Sequence, residues 1–232
     1  MTSAALDIGD PARSPAVQVV RVSEHAAATR VSGALAPLSA HEQERAAAFV
    51  RQADRDRYVV AHLALRRELG ALLRLDPAEV RLTRADCPVC GGPHGRPTVP
   101  GDPVHFSLSH AGDVVMMAFA AVPVGVDVEE YPRVASARET MSALHPREQA
   151  ELAAVEDAEA LPAVFARCWT RKEAYLKGTG SGLGEDLSVT YVSALDEPAP
   201  VPGWQLTDLP APSGYAAAWA LRQPTAHEVR EA

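Results

Sequence analysis

Long apolar runs are missing from this 232-residue chain. No stretch of about eighteen uninterrupted apolar residues occurs, so no transmembrane helix is expected. Residues 1–16, MTSAALDIGDPARSPA, lack the basic start and apolar core of a signal peptide and read as a loose tail. Cysteine is scarce and odd in number. Cys87, Cys90 and Cys168 suggest no disulfide framework, and a reducing cytoplasm is the default compartment. Basic charge is also short, with 22 Lys and Arg against 30 Asp and Glu and a formal net charge of −8. A general nucleic-acid binder neutralises phosphates with lysine and arginine, so this balance argues against that class. A local basic pocket for a small phosphorylated ligand stays open. Aromatics are few, at 5% of residues, but hydrophobic residues reach 47%, much of it alanine. That is enough for a core in one large domain or two small ones.

What is present reads as one pattern given twice. VQVVRV (17–22) is a strand, and a helix follows from Ser39, where Ser39 and Glu42 form a capping-box pattern. Residues 54–75 space their apolar positions by three and four, as a second helix does. EVRLT (79–83) reads as a short strand, followed by the Pro/Gly-rich loop ADCPVCGGPHGRPTVPGD. VHFSLSH and VVMMAFA are two strands joined by the turn AGD. The order then restarts. VGVDVE is a strand, Ser136–Glu156 is helical with a break near Pro146, and another helix follows Pro162 and stops at Gly178. LSVTYV (187–192), WQLTDL (204–209) and YAAAWAL (215–221) are three further strands. The expectation is an α+β chain of two pseudo-twofold-related halves, 17–121 and 122–232, each a small antiparallel sheet packed with helices. A ligand site between halves would follow, since such sites favour domain interfaces.

Two segments carry candidate chemistry. In GVDVEE (125–130) alternate residues share a face, so Val126 and Val128 point one way and Asp127 and Glu129 the other. Like charges side by side are unfavourable unless water or a cation sits between them. In CWTRKEAYLKGTGSG (168–182), Trp169, Glu173 and Lys177 are four apart and share one helix face. Taken alone, Glu173 and Lys177 are an ordinary surface ion pair and the acidic strand end is solvated. Three carboxylates together suit magnesium, which binds through a few carboxylates, waters and substrate phosphates. The glycine-rich GTGSGLGED (178–186) follows its helix, the wrong order for a phosphate-binding P-loop.

GVDVE, followed some forty residues later by WTRKEAYLK and preceded by HGRP and FSLSH, resembles the signature of the 4'-phosphopantetheinyl transferases over roughly residues 15–222. The W…KEA form resembles the broad-specificity Sfp-type branch serving peptide and polyketide synthetases. The resemblance implies a pseudo-twofold pair of α+β halves, the fold already expected from the repeat. It implies transfer of 4'-phosphopantetheine from coenzyme A to a carrier-protein serine, with release of 3',5'-ADP, a holo-[acyl-carrier-protein] synthase reaction. It also implies magnesium, or manganese in its place, on Asp127, Glu129 and Glu173. Glu173 matches an acid near the attacking hydroxyl, a candidate general base, and Lys177 matches a lysine near the coenzyme A phosphates. Lys172 would have a secondary electrostatic role. Ser109, His110 and Arg96 match residues on the 3'-phosphoadenosine part, and Arg57 resembles a basic residue meeting the 3'-phosphate, with Arg55 two positions away.

Partners on this reading are coenzyme A and the acyl or peptidyl carrier domains of polyketide or nonribosomal peptide synthetases, with no nucleic acid and no membrane. Carrier contact is expected at YPRVASARETMSALHP (131–146) and on the motif helix. An interdomain site built within one chain points to a monomer. Trp169 is expected to pack between the halves, and Trp204 and Trp219 in strand cores. Cys87, Cys90 and His94 have the spacing of a partial zinc site without an evident fourth ligand; the plain alternative is a turn-rich loop presenting Arg96. Other readings are a metal-dependent nuclease, against which the acidic balance counts, and a non-catalytic zinc-loop interaction module, which leaves the three acids unexplained.

Overall fold

A computed structural model describes residues 14–223. The expected tail therefore lies almost wholly outside the described residues, and Ala16 already belongs to the first strand. That strand, β1 (Ala16–Arg21), runs straight into a helix the sequence reading missed, α1 (Val22–Thr29). No side chain near its own start caps α1. Its cap comes from ninety residues away, where the Asp113 carboxylate accepts from the Ser23 backbone N–H at 2.7 Å and the Ser23 hydroxyl at 2.8 Å. A local cap signal could not have revealed it.

The helix α2 (Ala40–Ala47) begins at Ser39, and both arms of the capping box form. The long α3 (Gln52–Leu73) ends where Arg74 turns left-handed at φ 58°. The expected strand at 79–83 shrinks to β2 (Thr83–Arg84), which pairs only with β3 (Pro97–Thr98). Next comes the hairpin of β4 (His105–Ala111) and β5 (Val114–Ala120). Gly112 turns it at φ 49°, as a two-residue hairpin requires.

The second half repeats the plan with β6 (Val124–Glu130), α4 (Val134–Thr140), a 3₁₀ turn (Met141–Ala143) and α5 (Pro146–Ala153). It continues through α6 (Leu161–Thr179), a second 3₁₀ turn (Gly182–Gly184), β7 (Trp204–Asp208) and β8 (Tyr215–Arg222). The sheets have the orders β1-β5-β4 and β6-β8-β7, all antiparallel. Each half therefore places its first strand at one edge, its last in the middle and its middle strand at the other edge. That matched topology gives the two-halved α+β fold expected from the repeat.

All seven residues of β5 are buried, because it serves two cores. Val115, Met117 and Phe119 pack with Ala61, Leu65 and Leu69 of α3. Val114, Met116, Ala118 and Ala120 pack with Val124, Val126 and Val128 of β6 and Trp219 of β8. This second core joins the halves. A third, around Phe165 and Cys168 of α6 with Leu144 and Leu152, fills the second half.

Three expectations are corrected here. Residues 187–192 form no strand, because side chains capture their backbone. Glu148 accepts from Val192 N–H at 2.7 Å and Lys172 donates to the Thr190 carbonyl, while just beyond the segment Glu151 accepts from Ala194 N–H at 2.7 Å. Gly178 does not stop α6. It lies inside the helix, where a Cβ would meet the Trp204 ring at 2.6 Å, and the left-handed cap is Gly180 at φ 80°. Trp169 stacks on Phe165 in the second half's own core and does not pack between the halves.

Candidate active site

The inner face of β6 places Val124, Val126 and Val128 in the core shared by the halves. Strand alternation then sends Gly125, Asp127 and Glu129 to the opposite face, across which α6 lies. The approach is close: a Cβ on Gly125 would stand 1.8 Å from the Ala174 carbonyl oxygen and 2.5 Å from Gly178 N. Only glycine admits the helix at that depth. Glu173 and Lys177, on that side of α6, thereby reach the acids of β6. The edge strand β4 of the first half closes the seam, with the Ser107 hydroxyl accepting from Val126 N–H at 3.0 Å. Two positions on, Ser109 donates to Asp127 Oδ1 at 2.7 Å.

Asp127 is 1% exposed. Its Oδ1 takes Lys177 Nζ at 2.6 Å as well as Ser109, and Lys177 also donates to the Ser109 oxygen at 2.9 Å. Its Oδ2 is buried with no hydrogen-bond partner. Burial pushes the Asp127 carboxyl up in pKa, and Lys177 and Ser109 pull it back. Glu129 is pushed up to about 7, first by burial and then by the Asp127 charge, with Glu173 adding to it. Glu173 is raised by burial and by Asp127. Three half- or fully buried acids thus share one ammonium. A buried carboxylate oxygen without a donor, beside two acids that are costly to ionise, is the electrostatic setting a hard cation relieves. The oxygens of the three acids do not all lie within 4.8 Å of one another; among the described residues only Cys87, Cys90 and His94 form such a trio. The acids would have to turn inward to share an ion.

Comparison with known proteins decides the family. Residues 25–122 match the 4'-phosphopantetheinyl transferase N-terminal family and residues 123–220 match the 4'-phosphopantetheinyl transferase superfamily. A 4'-phosphopantetheinyl transferase of Nostoc, HetI, is 31% identical over 197 residues, covering 80% of this chain and 79% of the relative. The chain belongs to the 4'-phosphopantetheinyl transferase family. A phosphopantetheinyl transferase of Thraustochytrium is 35% identical over 161 residues, and there the match spans only 54% of the relative's length. The 4'-phosphopantetheinyl transferase Sfp of Bacillus subtilis is 26% identical over 147 residues, 63% of this chain and 62% of the relative.

In this member of the 4'-phosphopantetheinyl transferase family the expected site residues divide into groups. Asp127, Glu129, Glu173, Lys177 and Ser109 come together around the seam. His110 lies nearby on β4. Desolvation lowers its imidazole pKa first, and the charges of Arg57 and Lys177 act in the same direction. Arg57 is held at the β4–β5 turn, where its Nε donates to the Gly112 carbonyl at 2.9 Å. Arg96 pairs with Asp102 at 3.3 Å, and its aliphatic stem lies against Gly180 at the end of α6.

Lys172 is placed elsewhere, buried away from the seam, which corrects its expected secondary electrostatic role toward coenzyme A. It is 1% exposed, with Nζ 2.8 Å from Glu148 and bonded to the Thr190 carbonyl. It ties α6 to α5 and the 187–196 segment. The sequence reading also missed Ser107, Gly112 and Tyr215. A Cβ on Gly112 would meet the Tyr215 hydroxyl at 2.3 Å, and that hydroxyl accepts from Asp113 N–H at 3.2 Å and donates to Glu130 at 3.2 Å. The alternation of Ser107 and Ser109 in FSLSH was the available signal for the first. Tyr215 had none. A cavity of about 1070 Å³ opens between α2, α3 and the β2–β3 pair, lined in part by His41, Arg45, His62, Arg66, Arg81 and Arg84. Among the described residues no helix is long and apolar enough to cross a membrane.

Proposed function

We propose that this chain moves the 4'-phosphopantetheine group of coenzyme A onto a serine hydroxyl of an acyl or peptidyl carrier domain, in polyketide or nonribosomal peptide synthesis. This is holo-[acyl-carrier-protein] synthase chemistry of the Sfp-type branch. The serine oxygen bonds to the phosphorus next to pantetheine, the bond from that phosphorus to the bridging pyrophosphate oxygen breaks, and 3',5'-ADP leaves. The observation that carries the reading is the partnerless, buried Asp127 Oδ2 beside Glu129 and Glu173, with the chain's membership of the family.

Asp127, Glu129 and Glu173 would hold magnesium, or manganese in its place. Bound there, the ion supplies positive charge to the pyrophosphate oxygens and orients them. Glu173, whose carboxyl is raised by burial and by the Asp127 charge and so binds a proton more readily than a free carboxylate, takes the serine proton directly or through a water. Lys177 is one of only two lysines in the chain, and Lys172 is locked in the core. Lys177, held at the seam by Asp127 and Ser109, therefore supplies the ammonium that offsets charge on departing 3',5'-ADP. Arg57 and His110 serve the 3'-phosphate, and Ser109 and Arg96 the nucleotide near them. Arg57 also lines a separate cavity of about 520 Å³ with Gly112 and Asp113 at the β4–β5 turn. Carrier domains would dock on residues 131–146, where Tyr131 is 42% exposed, and on α6. Substitutions across 131–146 should raise the carrier's KM and leave coenzyme A binding unchanged.

The test mixes the protein with coenzyme A, magnesium and a generic apo carrier domain and weighs the intact carrier. A gain of one phosphopantetheine, lost in Glu173→Gln, is expected. No gain together with no coenzyme A binding would overturn the reading.

A further inference from the structure

The hairpin loop between β2 and β3, residues 85–96, carries a cluster that takes no part in the reaction. Pairing of Thr83 with Thr98 and Arg84 with Pro97 fixes its stem, and Ala85 N–H donates to the Arg96 carbonyl at 3.0 Å. Its tip is tightly wound. Cys87 N–H donates to the Gly92 carbonyl at 2.7 Å, Gly91 N–H to the Cys87 carbonyl at 2.8 Å, and His94 N–H to the Gly92 carbonyl at 2.8 Å. Glycines make this winding possible. Gly91 has φ 72°, a Cβ on Gly92 would sit 2.9 Å from the His94 ring, and a Cβ on Gly95 would sit 2.6 Å from the Ala85 carbonyl oxygen. The winding directs three donors to one point, with Cys90 Sγ and His94 Nε2 3.0 Å apart. The ligating atoms of Cys87, Cys90 and His94 all lie within 4.8 Å of one another.

We propose that Cys87, Cys90 and His94 form a zinc site in which a solvent molecule fills the fourth position. Two sulfurs and an imidazole nitrogen suit a borderline-soft divalent ion and not magnesium. With Zn–S of about 2.3 Å and Zn–N of about 2.0–2.1 Å, two such ligands on a tetrahedral ion stand about 3.5 Å apart. The observed 3.0 Å therefore opens by roughly half an ångström when the ion enters. Both thiols lose their protons to solvent on binding, and no redox step is involved. The exposed faces of Cys90 and His94 give the ion its entry and the solvent ligand its place.

The ion would fix the winding of a loop that lies against the second half. Val89, inside the Cys87–Cys90 turn, lies against Gly184, and the stem of Arg96 lies against Gly180. The site therefore stiffens the loop that carries Arg96, whose own stem packs beside the end of α6. It stands on its own geometry, whatever the reaction proves to be.

Cobalt(II) is the probe, titrated into the reduced, chelator-treated full chain. The expected result is a near-ultraviolet sulfur-to-cobalt band with intense tetrahedral visible bands, saturating at one ion per chain and displaced by zinc. Cys90→Ser and His94→Gln should each weaken binding more than about tenfold. Cys168→Ser should leave the band intact, since that thiol is buried in the second half's core. Glu173→Gln should also leave it intact, because carboxylates give no such band. No sulfur band at saturating cobalt, with three reduced thiols counted in the same sample after denaturation, would overturn the proposal. A band undiminished in Cys90→Ser would overturn it equally.

Discussion

Glu129 and the two lysines are where single side chains make separable demands. The Glu129 carboxyl titrates near 7 in the folded chain, above its ordinary value of 4.5. A raised carboxyl means the folded state holds its proton more tightly than the unfolded state does. Its stabilising contribution is then complete below about 4.5 and is lost as pH rises through 7. The metal-free protein should therefore lose thermal stability between pH 5 and pH 8 relative to Glu129→Gln. Magnesium should restore more of it at pH 8 than at pH 6, because the ion competes with that proton. Melting curves in chelator and in magnesium across the window check both. Lys172 and Lys177 are five residues apart and should behave as opposites. Lys172→Met leaves Glu148, which is fully buried, without its cation, and should cost about 3–5 kcal/mol in denaturant unfolding. Its KM for coenzyme A should stay near that of the parent. Lys177→Met should lower kcat at saturating magnesium by about a hundredfold or more, the scale of losing one charge-stabilising donor.

Between elements, the determining contact is α6 on β6. Gly125 meets backbone atoms, which cannot rotate away as a side chain could. Gly125→Ala should destabilise the fold by about 1–3 kcal/mol or more, the range for an overpacked core. It should also lower kcat, because the helix carrying Glu173 and Lys177 has to move off the strand carrying Asp127 and Glu129. Gly203→Ala is the comparison. That glycine has a positive φ of 75° but open space around it, so it should cost stability without a change in kcat. A parent-like kcat for Gly125→Ala would show that the close approach does not set the site. The 187–196 segment is held differently, by side chains and not by a sheet. Arg171, fully buried, donates to the carbonyls of Ser193, Leu195 and Asp196 while pairing with Asp208.

At the level of the whole molecule, the halves share one core and one site. β5 belongs to the first sheet, yet its even-numbered residues pack with Val124, Val126, Val128 and Trp219 of the second half's strands. Ser109 and Asp127 likewise come from different halves. Neither half can leave without exposing the other, so unfolding should be a single cooperative transition. Calorimetry checks this: the calorimetric and van't Hoff enthalpies should agree, and two resolved peaks would refute it.

The sequence by itself determined the pieces whose causes are local. Strand alternation in GVDVEE placed the acids opposite the valines, four-residue spacing put Glu173 and Lys177 on one helix face, and Ser39 with Glu42 announced a helix start. The duplicated order of elements made the two-halved fold legible. Only the tertiary structure decided matters that depend on partners far along the chain. Asp113 caps α1 across ninety residues. Glu148 and Lys172 take backbone bonds of Val192 and Thr190 that a strand at 187–192 would have used for a sheet, and Glu151 and Arg171 hold the residues just after it. Lys172 and Lys177 sit in one motif, and neighbouring residues on a helix point about 100° apart, so five positions separate a core ion pair from a site cation. Motif spacing sets Lys177 beside Glu173; the depth at which α6 crosses Gly125 brings that face onto the acids of β6.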